Sequence, residues 1–238
     1  MIKQLLGFSV LALLQSQAYA SLILSIEDAA VQSSQVNSEL RVEDFNRIST
    51  SQLDGYRTSF GQYFIDSGKP SIQAAGPWGG AQGIGNYLFV PRSKQSAVSL
   101  NFFDPVSYFG FWWSAGDGGN LLRVNTATET LEFTTQAILD SSALVADHFG
   151  NPNRTNSNTK EPYAFVNLFA STSQDYIESI TFYGSNFETD NHSIAYESVA
   201  LRGRSLAATN VPEPLSAGLF ALACLGLAYK RSHKKQGK

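Results

Sequence analysis

The sequence predicts an all-β protein, an antiparallel two-sheet sandwich that is jelly-roll-like in character, with an N-terminal signal helix and a C-terminal transmembrane helix. Of its 238 residues, 43% are hydrophobic and 16% are charged, so the chain can bury a core. Short segments rich in aromatic and β-branched residues recur through the body, separated by Gly- and Asn-rich connections. Long segments with helical periodicity are absent from the body, which favours strands over helices.

About ten strands are predicted from these segments. Residues 96–102 alternate apolar and polar side chains, which is typical of a strand with one buried face. Residues 108–113 form an aromatic run, which predicts a central strand covered on both faces. Two packed sheets account for this number of strands, with a barrel as the alternative. Further strands are predicted at 22–26, 40–45, 56–65, 121–125, 130–134, 163–170, 177–183 and 193–201, and one short helix near 135–144.

The N-terminus has the three parts of a secretory signal peptide. A positive charge at Lys3 precedes an apolar run over 5–14, and the small residues Ala18 and Ala20 follow. The run is shorter than the roughly 20 residues that a helix needs to cross a bilayer. We therefore expect residues 1–20 to be a signal peptide, cut by signal peptidase before Ser21.

The body of the protein is predicted to be one domain over residues 21–210. The C-terminal segment that follows it, residues 211–238, has three parts. Two prolines favour an extended, accessible backbone in the first part, as a protease requires. Fifteen apolar residues, 215–229, follow as a predicted transmembrane helix, and a basic tail comes last. The positive charges predict that this end stays on the cytoplasmic side while the body is exported. The first part consists of Val211, Pro212, Glu213 and Pro214, and the tail contains Lys230, Arg231, Lys234 and Lys235.

This order of Pro-Glu-Pro, apolar helix and basic end resembles the PEP-CTERM sorting signal. The resemblance implies a Gram-negative bacterium that makes exopolysaccharide, and processing by exosortase, a membrane-embedded cysteine protease. It also implies an inner-membrane precursor that is delivered to the cell surface, the outer envelope or the extracellular matrix. Segments 42–46, 105–114 and 187–191 are similar to parts of PEP-CTERM surface proteins with sandwich bodies, the last of them to a late turn. A plain C-terminal membrane anchor is the alternative.

Charge and residue types exclude several functions of the body. Residues 21–211 contain 11 Lys and Arg against 19 Asp and Glu, a net charge of −8, so no nucleic-acid partner is expected. The single cysteine, Cys224, lies in the C-terminal apolar run, and the body has neither a G-x-S-x-G motif nor an H-E-x-x-H motif. We therefore expect a non-enzymatic protein without a resident cofactor.

Three tryptophans are candidate ligand contacts, because aromatic faces stack on sugar rings. Trp78 lies in a Gly-Pro-Trp-Gly-Gly loop, where an exposed aromatic side chain has less structural reason to occur, with a core or loop-anchoring role as the alternative. Trp112 and Trp113 are neighbours on one predicted strand and must point to opposite faces. One of them is expected in the core and the other exposed or under a loop. A lectin-like module associated with exopolysaccharide is therefore the alternative to a surface protein without a specific ligand.

Loop carboxylates and amides suggest two further possibilities. Oxygen ligands suit calcium, so Asp117 with Asn120, and Glu188 with Asp190 and Asn191, are candidate calcium ligands. Two carboxyl groups across a cleft can also hydrolyse a glycosidic bond, and Asp117, Glu188 and Asp190 are the candidates. A polysaccharide-acting enzyme is therefore a third hypothesis.

We expect mass spectrometry of the mature protein from its native host to give an N-terminus at Ser21 and loss of the residues after about Pro214. Recovery of intact residues 230–238 in the surface fraction would instead favour a plain anchor.

A Glu213→Ala variant is expected to remain as an unprocessed precursor in the inner membrane. Normal maturation of that variant would contradict recognition of the Pro-Glu-Pro motif.

Overall fold

The computed structural model describes residues 21–92 and 96–206. Within these ranges the chain forms thirteen strands, all of them paired antiparallel, one α-helix, and four 3-10 helices at Thr50–Gln52, Ala81–Gly83, Ala146–His148 and Ser173–Asp175. The elements are β1 (Leu22–Ile26), β2 (Arg41–Glu43), β3 (Gly61–Ser67), β4 (Ser71–Ala74), β5 (Asn86–Val90), β6 (Ala97–Val106), β7 (Tyr108–Ser114), β8 (Leu121–Thr126), β9 (Thr130–Thr134), α1 (Thr135–Leu139), β10 (Ala164–Ala170), β11 (Ile177–Tyr183), β12 (Phe187–Ala195) and β13 (Arg204–Ser205).

The strands form two sheets, which confirms the predicted all-β, antiparallel two-sheet architecture. The large sheet has eight strands in the order β13-β1-β10-β7-β12-β5-β4, with β2 also paired to β12. The small sheet has five strands in the order β3-β6-β11-β8-β9. In the large sheet, β5 pairs with the first half of β12 and β2 with the second half, while β7 lies along its other edge.

The large sheet is covered on both of its faces, as its central strand β7 shows. All seven residues of β7 are buried. Phe109, Phe111 and Trp113 pack in the main core between the two sheets. Trp112 points the other way and packs with Tyr163 and other residues in a second cluster on the outer face. Both tryptophans are fully buried, so Trp113 is the core residue and Trp112 is the one that lies under loops.

His192 on β12 is a structural residue of the core between the sheets. Its Nδ1 lies 2.7 Å from the Tyr63 hydroxyl and its Nε2 lies 2.8 Å from the Thr189 hydroxyl. Its ring stacks on Phe182 with the centroids 4.9 Å apart. Burial lowers the pKa of His192 to about 3, so the ring is neutral and its two nitrogens serve as one donor and one acceptor.

Several strands differ from the predicted ones. The sequence predicts a strand over 193–201, and the segment 187–191 resembles a turn. In the structure the strand is Phe187–Ala195, so it begins earlier and includes residues 187–191. Glu188, Thr189 and Asp190 are all buried, so the polar pattern of this segment does not indicate exposure. The strands β4 and β5, on either side of the Gly-rich loop, were not predicted, and neither was β13.

The predicted signal peptide, residues 1–20, and the predicted sorting segment, residues 211–238, lie outside the described residues. Over 21–92 and 96–206, no helix has the length and apolar character needed to cross a membrane.

Candidate functional site

Loop segments cover the outer face of the large sheet and leave a pocket open near one edge. Segments 27–40, 75–85 and 146–163 contribute residues to the Trp112 cluster, to a further cluster around Tyr108 and Phe169, and to hydrogen bonds on this face. The pocket has a volume of about 400 Å³. It is lined by three aromatic side chains, three carboxyl groups and several other residues, namely Gln73, Trp78, Tyr87, Phe89, Arg92, Ala115, Asp117, Glu161, Asn186 and Glu188.

The aromatic part of the pocket comes from one loop and one strand. Tyr87 and Phe89 are two residues apart on β5, so their side chains point to the same face of the sheet. The Tyr87 hydroxyl donates a hydrogen bond to Gln73 Oε1 at 3.1 Å. Trp78 remains 50% exposed, so its ring is available to a ligand.

The loop that carries Trp78 is fixed at both ends by hydrogen bonds. The Pro77 carbonyl accepts hydrogen bonds from Asn151 Nδ2 at 2.8 Å, from the Tyr163 hydroxyl at 3.1 Å, and from Asn158 Nδ2. Beyond Trp78, the Ala81 amide donates to Asp190 Oδ2 at 2.7 Å. The exposed ring therefore sits on an ordered backbone, which reduces the conformational entropy lost when a ligand binds.

Two glycines allow this loop to lie close to β5. A Cβ atom on Gly79 would come within 2.4 Å of the Tyr87 ring. Gly80 has a φ of 95°, in the region that favours glycine. The Gly-rich sequence thus places Trp78 beside Tyr87, which is why both line the same pocket.

The carboxyl groups of the pocket are partly or fully removed from water. Glu188, on β12, is 6% exposed, and its Oε2 has no hydrogen-bond partner among the described residues. Burial, with smaller contributions from the nearby charges of Asp117 and Glu161, raises the pKa of Glu188 to about 9. Burial also raises the pKa of Asp117, although the nearby charge of Arg92 acts to lower it. Burial likewise raises the pKa of Glu161. Glu188 is therefore protonated at neutral pH.

The pocket brings together three of the residues singled out from the sequence, Trp78, Asp117 and Glu188. Four of its other residues, Tyr87, Phe89, Arg92 and Glu161, were not predicted. The alternation of Tyr87 and Phe89 between Gly85 and Pro91 is the signal of a strand that could have revealed two of them. Glu161 and Arg92 lie in loops without a distinguishing pattern.

The remaining calcium candidates hold other parts of the chain in place. Asn120 is fully buried, and its Oδ1 accepts a hydrogen bond from the Ser185 amide at 3.1 Å. Asp190 accepts from the Asn191 amide as well as from Ala81, and Asn191 Nδ2 donates to the Gln32 carbonyl at 2.9 Å. Among the described residues, no group of three or more His, Cys, Asp or Glu side chains could hold a metal ion. Calcium binding stays a prediction from the sequence.

Comparison of the chain with family models, with curated proteins and with solved structures gave no match.

We expect the thermal unfolding midpoint to fall as the pH rises from 7 to 9. In the unfolded chain Glu188 has its ordinary pKa of 4.5 and is already ionised, whereas in the folded protein its pKa is about 9. The folded state thus binds more protons over this range, so its stability decreases as the pH rises through the folded pKa. Asp190, whose pKa burial raises to about 7, contributes mainly below this range.

Scanning calorimetry at pH 7, 8 and 9 measures the thermal unfolding midpoint of the wild type and of Glu188→Gln. In the variant, the midpoint should decrease less as the pH rises. Glu178→Gln is the matched control, because Glu178 is exposed on β11 of the small sheet. An equal fall in the wild type and in the Glu188 variant would contradict a buried, protonated Glu188.

Proposed function

We propose that the protein is exported and that its mature body, a jelly-roll-like β-sandwich, binds carbohydrate at the cell surface or in the extracellular matrix. The observation that carries this proposal is the half-exposed Trp78 ring, which lines one pocket together with Tyr87 and Phe89. Aromatic faces pack against the apolar C–H faces of sugar rings. The carboxyl and amide groups of the same pocket can bind the hydroxyl groups and fix the orientation of the ligand.

A second depression suggests that the ligand is a chain of sugars rather than a single one. It has a volume of about 270 Å³ and is lined by Trp78, Glu161 and residues 158–160. Because Trp78 and Glu161 line both depressions, one ligand that crosses the Trp78 ring can occupy both. This arrangement favours an oligosaccharide or polysaccharide, such as the exopolysaccharide that the sorting signal implies.

Export and sorting are proposed from the sequence segments at the two ends. The A-x-A site before Ser21 supports cleavage by signal peptidase. The motif at 211–214, with the apolar stretch and basic tail behind it, supports processing by exosortase from a membrane precursor. The body would then reach the surface or matrix without its C-terminal helix.

Hydrolysis of a polysaccharide is the second candidate function, because Asp117, Glu161 and Glu188 line the same pocket and glycosidases use two carboxyl groups. We favour binding without catalysis. Release of new reducing ends from a bound glycan, lost in Glu188→Gln, would reverse that preference.

Replacing Trp78 by alanine is expected to weaken glycan binding about tenfold or more, because the stacking surface is lost. Trp78→Tyr should retain most of the affinity, since it keeps an aromatic face. Phe103→Ala is the control, because Phe103 is also exposed but lies on β6 of the small sheet. A glycan array identifies the ligand of the mature protein, and titration calorimetry then compares the variants. Unchanged affinity in Trp78→Ala would contradict the proposed contact.

A further inference from the structure

The charges that line the large pocket are mostly negative. Among the described residues, three carboxyl groups, those of Asp117, Glu161 and Glu188, share it with one cation, Arg92. Each of the two glutamates has its pKa raised in part by a neighbouring carboxyl group of the same pocket. The charge of Arg92 lowers the pKa of Asp117. Carboxyl groups therefore outnumber cations among the described residues that line the pocket.

Glu188 is the independent sign that a ligand group belongs here. It lines the pocket while being 94% buried, and its Oε2 makes no hydrogen bond within the described part of the chain. A buried polar atom without a partner is unfavourable and rare in folded proteins. Asp190, two residues further along the same strand and equally buried, has both of its oxygens bonded to backbone amides. The difference suggests that Glu188 receives its partner from a ligand.

We propose that the pocket selects sugars that carry a protonated amino group, such as hexosamine residues without their N-acetyl group. The sugar ring stacks on Trp78, and its ammonium group reaches Glu188 and the carboxylates beside it. This inference rests on the proposed carbohydrate-binding function and names the class of sugar.

An ammonium group fits this pocket better than the other groups that sugars carry. It has three donors for the unpaired oxygen, and its charge offsets the repulsion among the carboxyl groups. The aromatic faces of the pocket also attract a cation. A neutral hydroxyl supplies a donor without the charge, and a uronate adds another negative charge. Lys160 lines the smaller depression, so the ammonium group is expected in the larger one.

Binding of such a sugar should release a proton. Glu188 is protonated in the free protein at neutral pH, and an ammonium group nearby favours its ionised form. Among the described residues, the other titratable or charged groups that line the pocket or interact with Glu188 are Asp117, Glu161, Arg92, Tyr87 and Tyr163. Burial raises the pKa of both tyrosines, that of Tyr87 to about 12, so they keep their protons. Glu188 is therefore the group that would lose a proton.

Titration calorimetry of the mature protein with four β-1,4-linked tetramers tests the proposal. The tetramers are those of glucosamine, N-acetylglucosamine, glucose and mannuronate. We expect the glucosamine tetramer to bind about tenfold more tightly than the two neutral ones, and the mannuronate tetramer most weakly. Titrations in two buffers of different ionisation enthalpy at pH 5.5, where the amino groups of the glucosamine tetramer are already protonated, should show release of protons with the glucosamine tetramer and none with the glucose tetramer.

The Glu188→Gln variant keeps the side-chain size and removes the ionisable group. It should lose most of the preference for the glucosamine tetramer over the glucose tetramer and release no proton, while Glu178→Gln behaves as the wild type. Glu161→Gln, at a less buried position, should lose part of the preference and tests the charge argument even if the Glu188 variant fails to fold. Trp78→Ala should weaken binding of every tetramer that the wild type binds.

The outcomes separate this inference from the proposed function. Equal affinity for the glucosamine and glucose tetramers, or an amine preference unchanged in Glu188→Gln, would overturn the inference and leave carbohydrate binding in place. Binding of other glycans on an array without binding of the glucosamine tetramer would do the same. Failure to bind any glycan would overturn both.

Discussion

The burial of the large sheet on both faces is the constraint from which the other features of the structure follow. Its inner face packs against the small sheet, and its outer face lies under loops, so every residue of β7 is buried. Loops over a buried face cannot pair their backbone groups in a regular ladder, and those groups need other partners. Side chains provide them: Asp190 binds the Ala81 amide, and Asn151 and Tyr163 bind the Pro77 carbonyl.

The pocket lies where this loop cover ends. Glu188 and Asp190 lie two residues apart on β12, and both are almost completely buried. Asp190 is bonded to a loop and to its own strand, so it stabilises the fold. Glu188 lines the space that the loops leave open, and one of its oxygens has no hydrogen-bond partner in the described part of the chain. The same fold thus uses one carboxyl group for structure and leaves the other available for a ligand.

The sequence predicted the architecture better than the site. The strands β1, β9 and β11 have the predicted bounds, because their apolar residues mark them as strands without help from distant contacts. The segment 187–191 contains four polar residues and resembled a turn, since the contacts that bury most of them come from far along the chain. Trp78 was found from its loop alone. Glu161 could not be found, because it reaches the pocket only through the packing of segment 146–163 against the Pro77 loop.

The order of strands in the large sheet separates the pocket from the end of the body. The strand β13 pairs with β1 at one edge of the sheet, and the Leu206 amide continues that pairing to the Leu24 carbonyl. The pocket lies over β5 and β12, toward the opposite edge. Five inter-strand spacings of about 4.8 Å place β13 and β5 about 24 Å apart. A body attached through the chain that follows β13 would therefore carry its pocket toward the opposite edge of the sheet from the point of attachment.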